Sequence, residues 1–204
     1  MKLYYVHDPM CSWCWAFRPV LLQLIKDLPS EIEFIRLLGG LAPDCDTPMP
    51  EDTRNYVIDN WRQIQRQLPQ TKFNYDFWTK CQPKRSTYPA CRAVIAARRQ
   101  GDTFDEIMTH AIQQAYYLQA RNPSDQQTLI ALAGEIGLDK NQFSIDLSSE
   151  QSNDLLSQEI ATVRSLQLNS FPGFLFADEQ TKQHIEPDYH SATTVLATIK
   201  RLIT

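Results

Sequence analysis

The chain has 204 residues, and its 20 basic and 24 acidic side chains give a net charge of -4. This balance provides no basic surface to gather phosphate groups, so no nucleic-acid partner is expected. The hydrophobic fraction of 43% and the charged fraction of 22% are typical of a folded globular protein. No apolar run approaches the roughly 20 residues that cross a bilayer, and the start, MKLYYVHDPMC, lacks the apolar core of a signal peptide. These features predict a cytoplasmic protein without a membrane partner.

The first forty residues have a strand-helix-strand pattern. Lys2 to His7 is a β-branched and aromatic run that Asp8-Pro9 ends, because a residue before proline avoids helical backbone angles. Apolar residues then recur at helical spacing from Cys11 to Leu28, and Ile32 to Leu38 forms a second predicted strand. A unit of this kind joins two parallel strands through a right-handed crossover, so the sequence predicts an α/β domain.

The rest of the chain is predicted to be mostly helical before it returns to the sheet. Helical patterns cover residues 51–67, 90–99, 103–118, 125–136 and 152–166, followed by a strand pair at 174–177 and 183–185 and a helix over 189–203. We therefore predict a discontinuous α/β domain of residues 1–42 and 152–204, and a helical insertion domain of residues 43–151.

Two cysteines open the first predicted helix in the stretch MCSWCW. At the helix N-terminus, unpaired N–H groups and the helix dipole favour the thiolate form of Cys11, which makes it a nucleophile. Cys14 lies one turn further on, within disulfide reach, and can resolve a mixed disulfide formed on Cys11. Ser12 and Trp13, which lie between the two cysteines, would tune the stability of the thiolate.

Two other interpretations of this pair stay open. The cysteines could be small packed hydrophobic residues, or half of a zinc site, which would need two more ligands of similar geometry. Cys81 and Cys91 are too far apart in the chain to form a second knuckle, so no metal is predicted. These two are expected to be buried thiols, with a helper disulfide between them as the alternative.

A proline turn near the end of the chain provides a second indication of a site. In NSFPGF, residues 169–174, Pro172 stands just before a short predicted strand and Gly173 follows it. This arrangement suits a tight turn in which the backbone of Phe171 faces a ligand, with Pro172 either cis or an ordinary trans loop residue.

Taken together, DPMCSWCW, the helical block and SFPGFLF resemble the DsbA-like branch of the thioredoxin superfamily, especially its cytoplasmic FrnE-like members. Relatives of that group include kappa-class glutathione transferases and 2-hydroxychromene-2-carboxylate isomerases. The resemblance covers the whole chain and implies a thioredoxin fold with a large all-helical insertion after its second strand. It also implies a bacterial origin.

Several residues match the family motif, and one departs from it. Asp8 and Trp13 stand where such proteins have an acidic residue before the first cysteine and a tryptophan before the second. Pro172 falls at the family's cis-proline, opposite the active disulfide, which implies that the Phe171 backbone pairs with substrate. Ser12 replaces the usual proline and leaves the redox potential and the substrate range open.

Two further residues are weaker candidates for the site. The segment STYPACR, residues 86–92, resembles a helix start in the inserted domain of FrnE-like and kappa-class proteins, which implies that Thr87 approaches the thiols. The alternative for Thr87 is a helix N-cap. His7, at the end of the first strand, either supports the Cys11 thiolate or has a structural role.

The predicted function is thiol-disulfide oxidoreduction, with Cys11 attacking and Cys14 resolving and no metal or organic cofactor. Its partners would be protein or small-molecule thiols and disulfides, with glutathione as a possible co-substrate. Two alternatives are a glutathione-dependent transferase or isomerase, and a binding or chaperone module without turnover.

Overall fold

The computed structural model describes residues 1–203. Its elements follow the chain in this order: β1 (Lys2–His7), α1 (Ser12–Asp27), β2 (Glu33–Leu38), α2 (Glu51–Gln67), α3 (Phe77–Lys80), α4 (Tyr88–Arg98), α5 (Phe104–Tyr117), α6 (Gln126–Glu135), α7 (Lys140–Leu147), α8 (Glu150–Ser165), β3 (Gly173–Ala177), β4 (Lys182–Ile185) and α9 (Ala192–Leu202). No helix among these residues is both long and apolar enough to cross a membrane.

The elements form two compact units. One contains Met1–Gly39 and the chain from Glu159 onward, and the other contains Gly40–Gln158. The division falls at other residues than the predicted ends at 42 and 152. The second boundary lies between Gln158 and Glu159 instead of at residue 152. Helix α8 (Glu150–Ser165) runs through this point without a break, so no loop marks the boundary in the sequence.

The first unit is built on a four-stranded sheet with the order β2-β1-β3-β4. Strand β1 pairs with β2 in parallel, with Lys2 opposite Glu33, and pairs with β3 in antiparallel orientation, with Tyr5 opposite Phe174. Strands β3 and β4 form an antiparallel hairpin. The predicted parallel pair and the predicted hairpin are both confirmed.

Side-chain alternation gives each face of this sheet its own core. Leu3, Tyr5 and Phe174 point to one face, where they pack with buried side chains of α1 and α9, including Phe17 and Ile199. The opposite face packs a second cluster, formed by Val6, Leu37, Val163, Leu168 and Leu175. Burial of α1 against the first face holds its N-terminal turn just beyond the carboxyl end of β1.

The second unit is helical in its described elements and has a separate aromatic core. The buried Trp61 ring lies within about 6 Å of six other rings, measured between centroids: Phe73, Tyr75, Phe77, Trp78, Tyr116 and Tyr117. Two ion pairs with largely buried carboxylates, Arg98 with Asp105 and Arg99 with Asp146, join α4 to α5 and to α7.

Two helices of this unit lie outside the predicted ones. Helix α3 has four residues and is too short to show a helical repeat of apolar positions. Helix α7 has eight residues and is capped by the preceding Asp139, whose carboxylate accepts hydrogen bonds from the backbone N–H groups of Asn141 and Gln142.

Candidate redox site

Cys11 is the N-cap residue of α1. Its backbone is extended (φ -79°, ψ 117°), and its Sγ accepts a hydrogen bond from the Cys14 N–H over 3.3 Å. The Cys11 N–H in turn donates to the Asp8 carbonyl over 3.0 Å, which closes the turn between β1 and α1. Cys11 Sγ therefore accepts one of the N–H groups at the start of the helix that have no carbonyl partner within it.

Cys14 lies one turn into the helix and is more deeply buried, with 1% of its surface exposed against 5% for Cys11. Burial raises the pKa of the Cys14 thiol well above its usual range, and the hydrogen bond to Cys11 and the charge on Cys11 add to the effect. The protein therefore holds Cys14 as a protonated thiol beside Cys11. Both residues are thiols rather than a disulfide in this structure.

The proline turn before β3 lies next to the first thiol. The Phe171–Pro172 peptide bond is cis, as the family resemblance implied. The Cys11 thiol lies 3.5 Å from the Phe171 carbonyl oxygen, to which it donates a hydrogen bond. Residues that are 160 positions apart in the chain thus meet at one sulfur atom.

A glycine after β2 makes room for the Phe171 ring. A Cβ atom on Gly39 would collide with this ring and would lie 2.7 Å from a methyl carbon of Val6. The Gly39 N–H donates to the His7 carbonyl over 2.9 Å, which continues the pairing of β2 with β1. Gly39 thus allows the side chain of Phe171 to lie against the ends of these two strands.

An aromatic ring from the end of the chain packs on the helix that carries the cysteines. Tyr189 contacts Trp13 edge-on, with centroids 5.2 Å apart and an interplanar angle of 67°. It also contacts Phe17 at 5.4 Å and 80°. Burial raises the pKa of the Tyr189 hydroxyl well above its usual range, and negative charge on Cys14 and Cys11 adds to the shift. Tyr189 is therefore a neutral phenol that packs against the start of α1.

Two polar residues at the end of β1 are buried. Asp8 has 0% of its surface exposed, and its carboxylate accepts a hydrogen bond from the Met10 N–H over 2.8 Å. The charge on Asp8 is one of the influences that raise the pKa of Cys14. The His7 ring stacks on Tyr5 at 5.2 Å, a packing contact within the strand. Support of the Cys11 thiolate by His7 stays a prediction.

The family model described as Thioredoxin, Thioredoxin_5, matches residues 4–190. The chain belongs to this thioredoxin family. The match includes both cysteines, the cis-proline turn and the whole helical unit, so the thioredoxin-like fold with a helical insertion is established.

Curated relatives of this thioredoxin-family chain include ClpXP adapter proteins named SpxH. The protein from Halalkalibacterium halodurans is 23% identical over 187 residues, which cover 90% of this chain and 60% of that protein. The protein from Bacillus subtilis is 23% identical over 181 residues, covering 88% and 59%. The chain thus spans about 60% of the length of these relatives.

Solved structures with the same fold include cytosolic disulfide reductase DsbM from Pseudomonas aeruginosa, with a TM-score of 0.78, 21% identity and coverage of 100% of this chain and 98% of that one. A candidate protein disulfide isomerase from Nitrosomonas europaea has a TM-score of 0.83 at 21% identity, covering 99% and 97%. DsbA from Pseudomonas aeruginosa has a TM-score of 0.60 at 12% identity, covering 99% and 81%. These likenesses support the thioredoxin-like fold.

The remaining predicted residues of this family member lie in different places. Ser12 and Trp13 are partly exposed in the first turn of α1. Thr87 belongs to the helical unit and precedes α4, but its hydroxyl accepts a hydrogen bond from the Ala42 N–H over 3.1 Å instead of capping the helix. Its approach to the thiols stays a prediction.

The other cysteines are also thiols in the structure. Cys81 donates to the Ala120 carbonyl over 3.1 Å, and Cys91 is fully buried in α4. Cys45 is partly exposed, and its Sγ lies 3.1 Å from the Thr47 hydroxyl, which lowers the pKa of the Cys45 thiol. Within residues 1–203, no group of three His, Cys, Asp or Glu side chains is placed to hold a metal ion.

Tyr189 and Gly39 contribute to the site although neither is among the residues that the sequence predicts for it. The sequence pattern assigns Tyr189 only to the start of the last helix and Gly39 only to the end of a strand. Neither carries a local signal for the thiol site, because both act through contacts with residues distant in the sequence.

Proposed function

We propose that this protein is a thiol-disulfide oxidoreductase whose working centre is Cys11 and Cys14. The observation that carries the proposal is the contrast between two adjacent thiols. Cys11 caps a helix and receives the Cys14 N–H at 3.3 Å, whereas Cys14 is buried and its raised pKa keeps it protonated. Cys11 would therefore act as the nucleophile and Cys14 as the resolving thiol.

The reaction balances as thiol-disulfide exchange. The Cys11 thiolate attacks one sulfur of a substrate disulfide, a Cys11–substrate bond forms, the substrate S–S bond breaks, and the leaving sulfur departs as a thiolate that takes up a proton. Cys14 then loses its proton, attacks Cys11 Sγ and releases the second substrate sulfur. Two electrons pass from the protein dithiol to the substrate disulfide, and the reverse sequence oxidises a substrate dithiol.

The cis-proline turn would hold the substrate beside Cys11. The Phe171 carbonyl accepts a hydrogen bond from the Cys11 thiol at 3.5 Å, so a substrate chain aligned with this turn would bring its sulfur close to the nucleophile. Pro172 has no N–H group, and the neighbouring backbone of Phe171 is the group that would pair with an extended substrate. Ser12, Trp13 and His7 would tune this centre, and Thr87 is the proposed contribution of the helical unit.

We further propose a FrnE-like, cytosolic protein that uses glutathione as its small-molecule reductant. Asp8 and Trp13, which match the family motif around the two cysteines, support the FrnE-like assignment. The compartment and the reductant are supported by DsbM, which is described as cytosolic and has also been solved with glutathione.

A redox titration tests the proposal. The full chain is equilibrated in glutathione buffers, its thiols are trapped with an alkylating reagent, and labelled cysteines are located by peptide mass spectrometry. We expect Cys11 and Cys14 to lose and regain their labels together at one potential. Loss of the Cys11 label alone, as a glutathione adduct, would instead favour a glutathione-dependent transferase or isomerase.

Two variants sharpen the titration. Cys14→Ser should trap a mixed disulfide on Cys11, because no resolving thiol follows. Cys45→Ser is the matched control, since Cys45 belongs to the helical unit and should leave the potential of the pair unchanged. Pairing of Cys11 with another cysteine in Cys14→Ser would contradict the assigned roles.

A second candidate function is an adapter that delivers a protein to a protease. It is favoured by the SpxH relatives, which match about 90% of this chain although the chain spans only about 60% of their length. Degradation of candidate substrates by reconstituted ClpXP, with and without this protein, tests it. An adapter without redox turnover would retain its effect when Cys11 and Cys14 are both replaced by serine.

A further inference from the structure

Trp13, Cys14 and Phe17 lie within the first two turns of α1. Residue 17 follows residue 13 by four positions and residue 14 by three, so Phe17 is a neighbour of both Trp13 and Cys14 on the helix. Tyr189 rests on Trp13 at 5.2 Å and on Phe17 at 5.4 Å. A ring packed on Phe17 therefore lies against a direct helix neighbour of Cys14.

The chain around Tyr189 is held by local hydrogen bonds. The Asp188 carboxylate accepts the N–H groups of His190 at 2.8 Å and Ser191 at 3.2 Å. The Ser191 hydroxyl in turn caps α9 by accepting the Thr193 N–H. Tyr189 therefore projects from a fixed turn at the start of a helix whose apolar face packs in the same core as Phe17.

We propose that Tyr189 is a positioning residue that covers the Cys14 thiol and leaves Cys11 as the single point of attack on a substrate. The assignment rests on the proposed exchange reaction at Cys11. Tyr189 shields the resolving sulfur from solvent and from reagents until a mixed disulfide on the neighbouring Cys11 brings a reactive bond to it.

The electrostatic environment agrees with this placement. Negative charge on Cys14 raises the pKa of Tyr189 more than the charge on Cys11 or Glu186 does. The charge on Asp8 also acts on Cys14. The phenol thus stays neutral while either thiolate forms, so it excludes water without adding a charge that would oppose the reaction.

The test measures alkylation of every cysteine in the fully reduced full chain. N-ethylmaleimide is added over a range of pH, and label at each cysteine is followed by peptide mass spectrometry in wild type and in Tyr189→Leu, Tyr189→Phe and Phe34→Leu. Phe34→Leu is the matched control, since it removes a partly buried ring from the same core at the start of β2, opposite Leu3. Cys91, fully buried in the helical unit, reports general unfolding, and Cys45 reports a reactive thiol.

We expect Tyr189→Leu to raise the alkylation rate of Cys14 at least about tenfold. The pH dependence of this rate should also move to lower pH, because access of water lowers the free-energy cost of ionising the thiol. Tyr189→Phe keeps both ring contacts, and Phe34→Leu leaves Tyr189 in place, so each should stay within about twofold of wild type. The Cys91 rate should not change in any variant.

An unchanged Cys14 rate in Tyr189→Leu overturns the proposal, as does an equal increase in Phe34→Leu. If N-ethylmaleimide also labels Cys91 in Tyr189→Leu, this variant has unfolded. Tyr189→Met, which keeps more of the side-chain volume, then replaces it and is judged by the same criteria. Because the protein is reduced throughout, this result is separate from the redox titration. Failure of the pair to cycle would refute the oxidoreductase function but leave the measured protection of Cys14 intact.

Discussion

At the scale of single residues, the site depends on two thiols of the same chemical type in different environments. Cys11 ends a loop and begins a helix, whereas Cys14 is one turn further into the protein, where burial raises its pKa. A buried group that retains its proton in the folded state couples the stability of the whole fold to pH.

We therefore predict that the reduced protein loses stability as pH rises above about 8.5, the usual value for a thiol, at which Cys14 ionises in the unfolded chain. Above this pH the folded state still holds the Cys14 proton and the unfolded state releases it, so the free energy of unfolding falls. Below it both states are protonated and the contribution is constant. Urea unfolding at a series of pH values, kept below about 10 so that tyrosines stay neutral, measures the slope.

The matched variant for this prediction is Cys14→Ala, which removes the titrating thiol. Its free energy of unfolding should depend less on pH over the same interval. An identical slope in both proteins would show that another group causes the effect.

A second prediction at the residue scale concerns Gly39. A methyl group there would collide with the Phe171 ring, so we expect Gly39→Ala to destabilise the protein by about 1–3 kcal/mol and to change the alkylation rate of Cys11. Gly134→Ala is the control: it lies inside α6, where alanine is favoured by about 0.5–1 kcal/mol, and its new methyl meets only the flexible Lys140 side chain. Thermal unfolding distinguishes the two, and equal stability would contradict the assigned contact.

At the scale of elements, most helices and strands have bounds near those that the sequence predicts. Strand β1 (Lys2–His7) and helix α2 (Glu51–Gln67) have the predicted ends, because alternation and helical periodicity are local properties. Helix α7 (Lys140–Leu147) has no comparable repeat. It begins with a capping carboxylate, and its Phe143 and Leu147 side chains are buried.

We predict that Asp139→Ala destabilises the helical unit by about 1 kcal/mol, since two N–H groups at the start of α7 lose their acceptor. Asp139→Asn should retain most of the stability. Asp125→Ala is the matched control, because Asp125 precedes α6 without a capping hydrogen bond from its side chain. Urea unfolding followed by circular dichroism compares the three, and equal losses for both alanine variants would contradict the prediction.

At the scale of the whole molecule, the chain forms its redox unit from two separated segments. The helical unit, Gly40–Gln158, lies between them in the sequence and has its own aromatic core around Trp61. The two segments of the redox unit pair through β1 and β3. If the helical unit unfolded alone, this pairing would have to close a flexible loop of roughly a hundred residues, at a cost of about 4 kcal/mol.

We therefore predict that Trp61→Ala destabilises both units. The cavity left by the Trp61 side chain should lower the free energy of unfolding of the helical unit by about 3–5 kcal/mol. Because an unfolded helical unit adds a loop-closure cost to the pairing of β1 with β3, the redox unit should lose part of its stability as well. Cysteine labelling during urea unfolding reads each unit separately, with Cys91 for the helical unit and Cys14 for the redox unit. Both midpoints should shift to lower urea, and an unchanged Cys14 midpoint would show that the redox unit is stable on its own.

The sequence by itself determined the features that short segments encode: the strand-helix-strand start, the cysteines in the first turn of α1, the helical insertion and the proline turn. Only the tertiary structure decided which distant segments meet at the thiols. Phe171 reaches Cys11 because β3 pairs with β1, and Tyr189 reaches Trp13 because α9 packs on the same sheet face as α1. Local patterns report backbone propensity and burial, whereas these contacts depend on strand order and packing across the core, which no short segment contains.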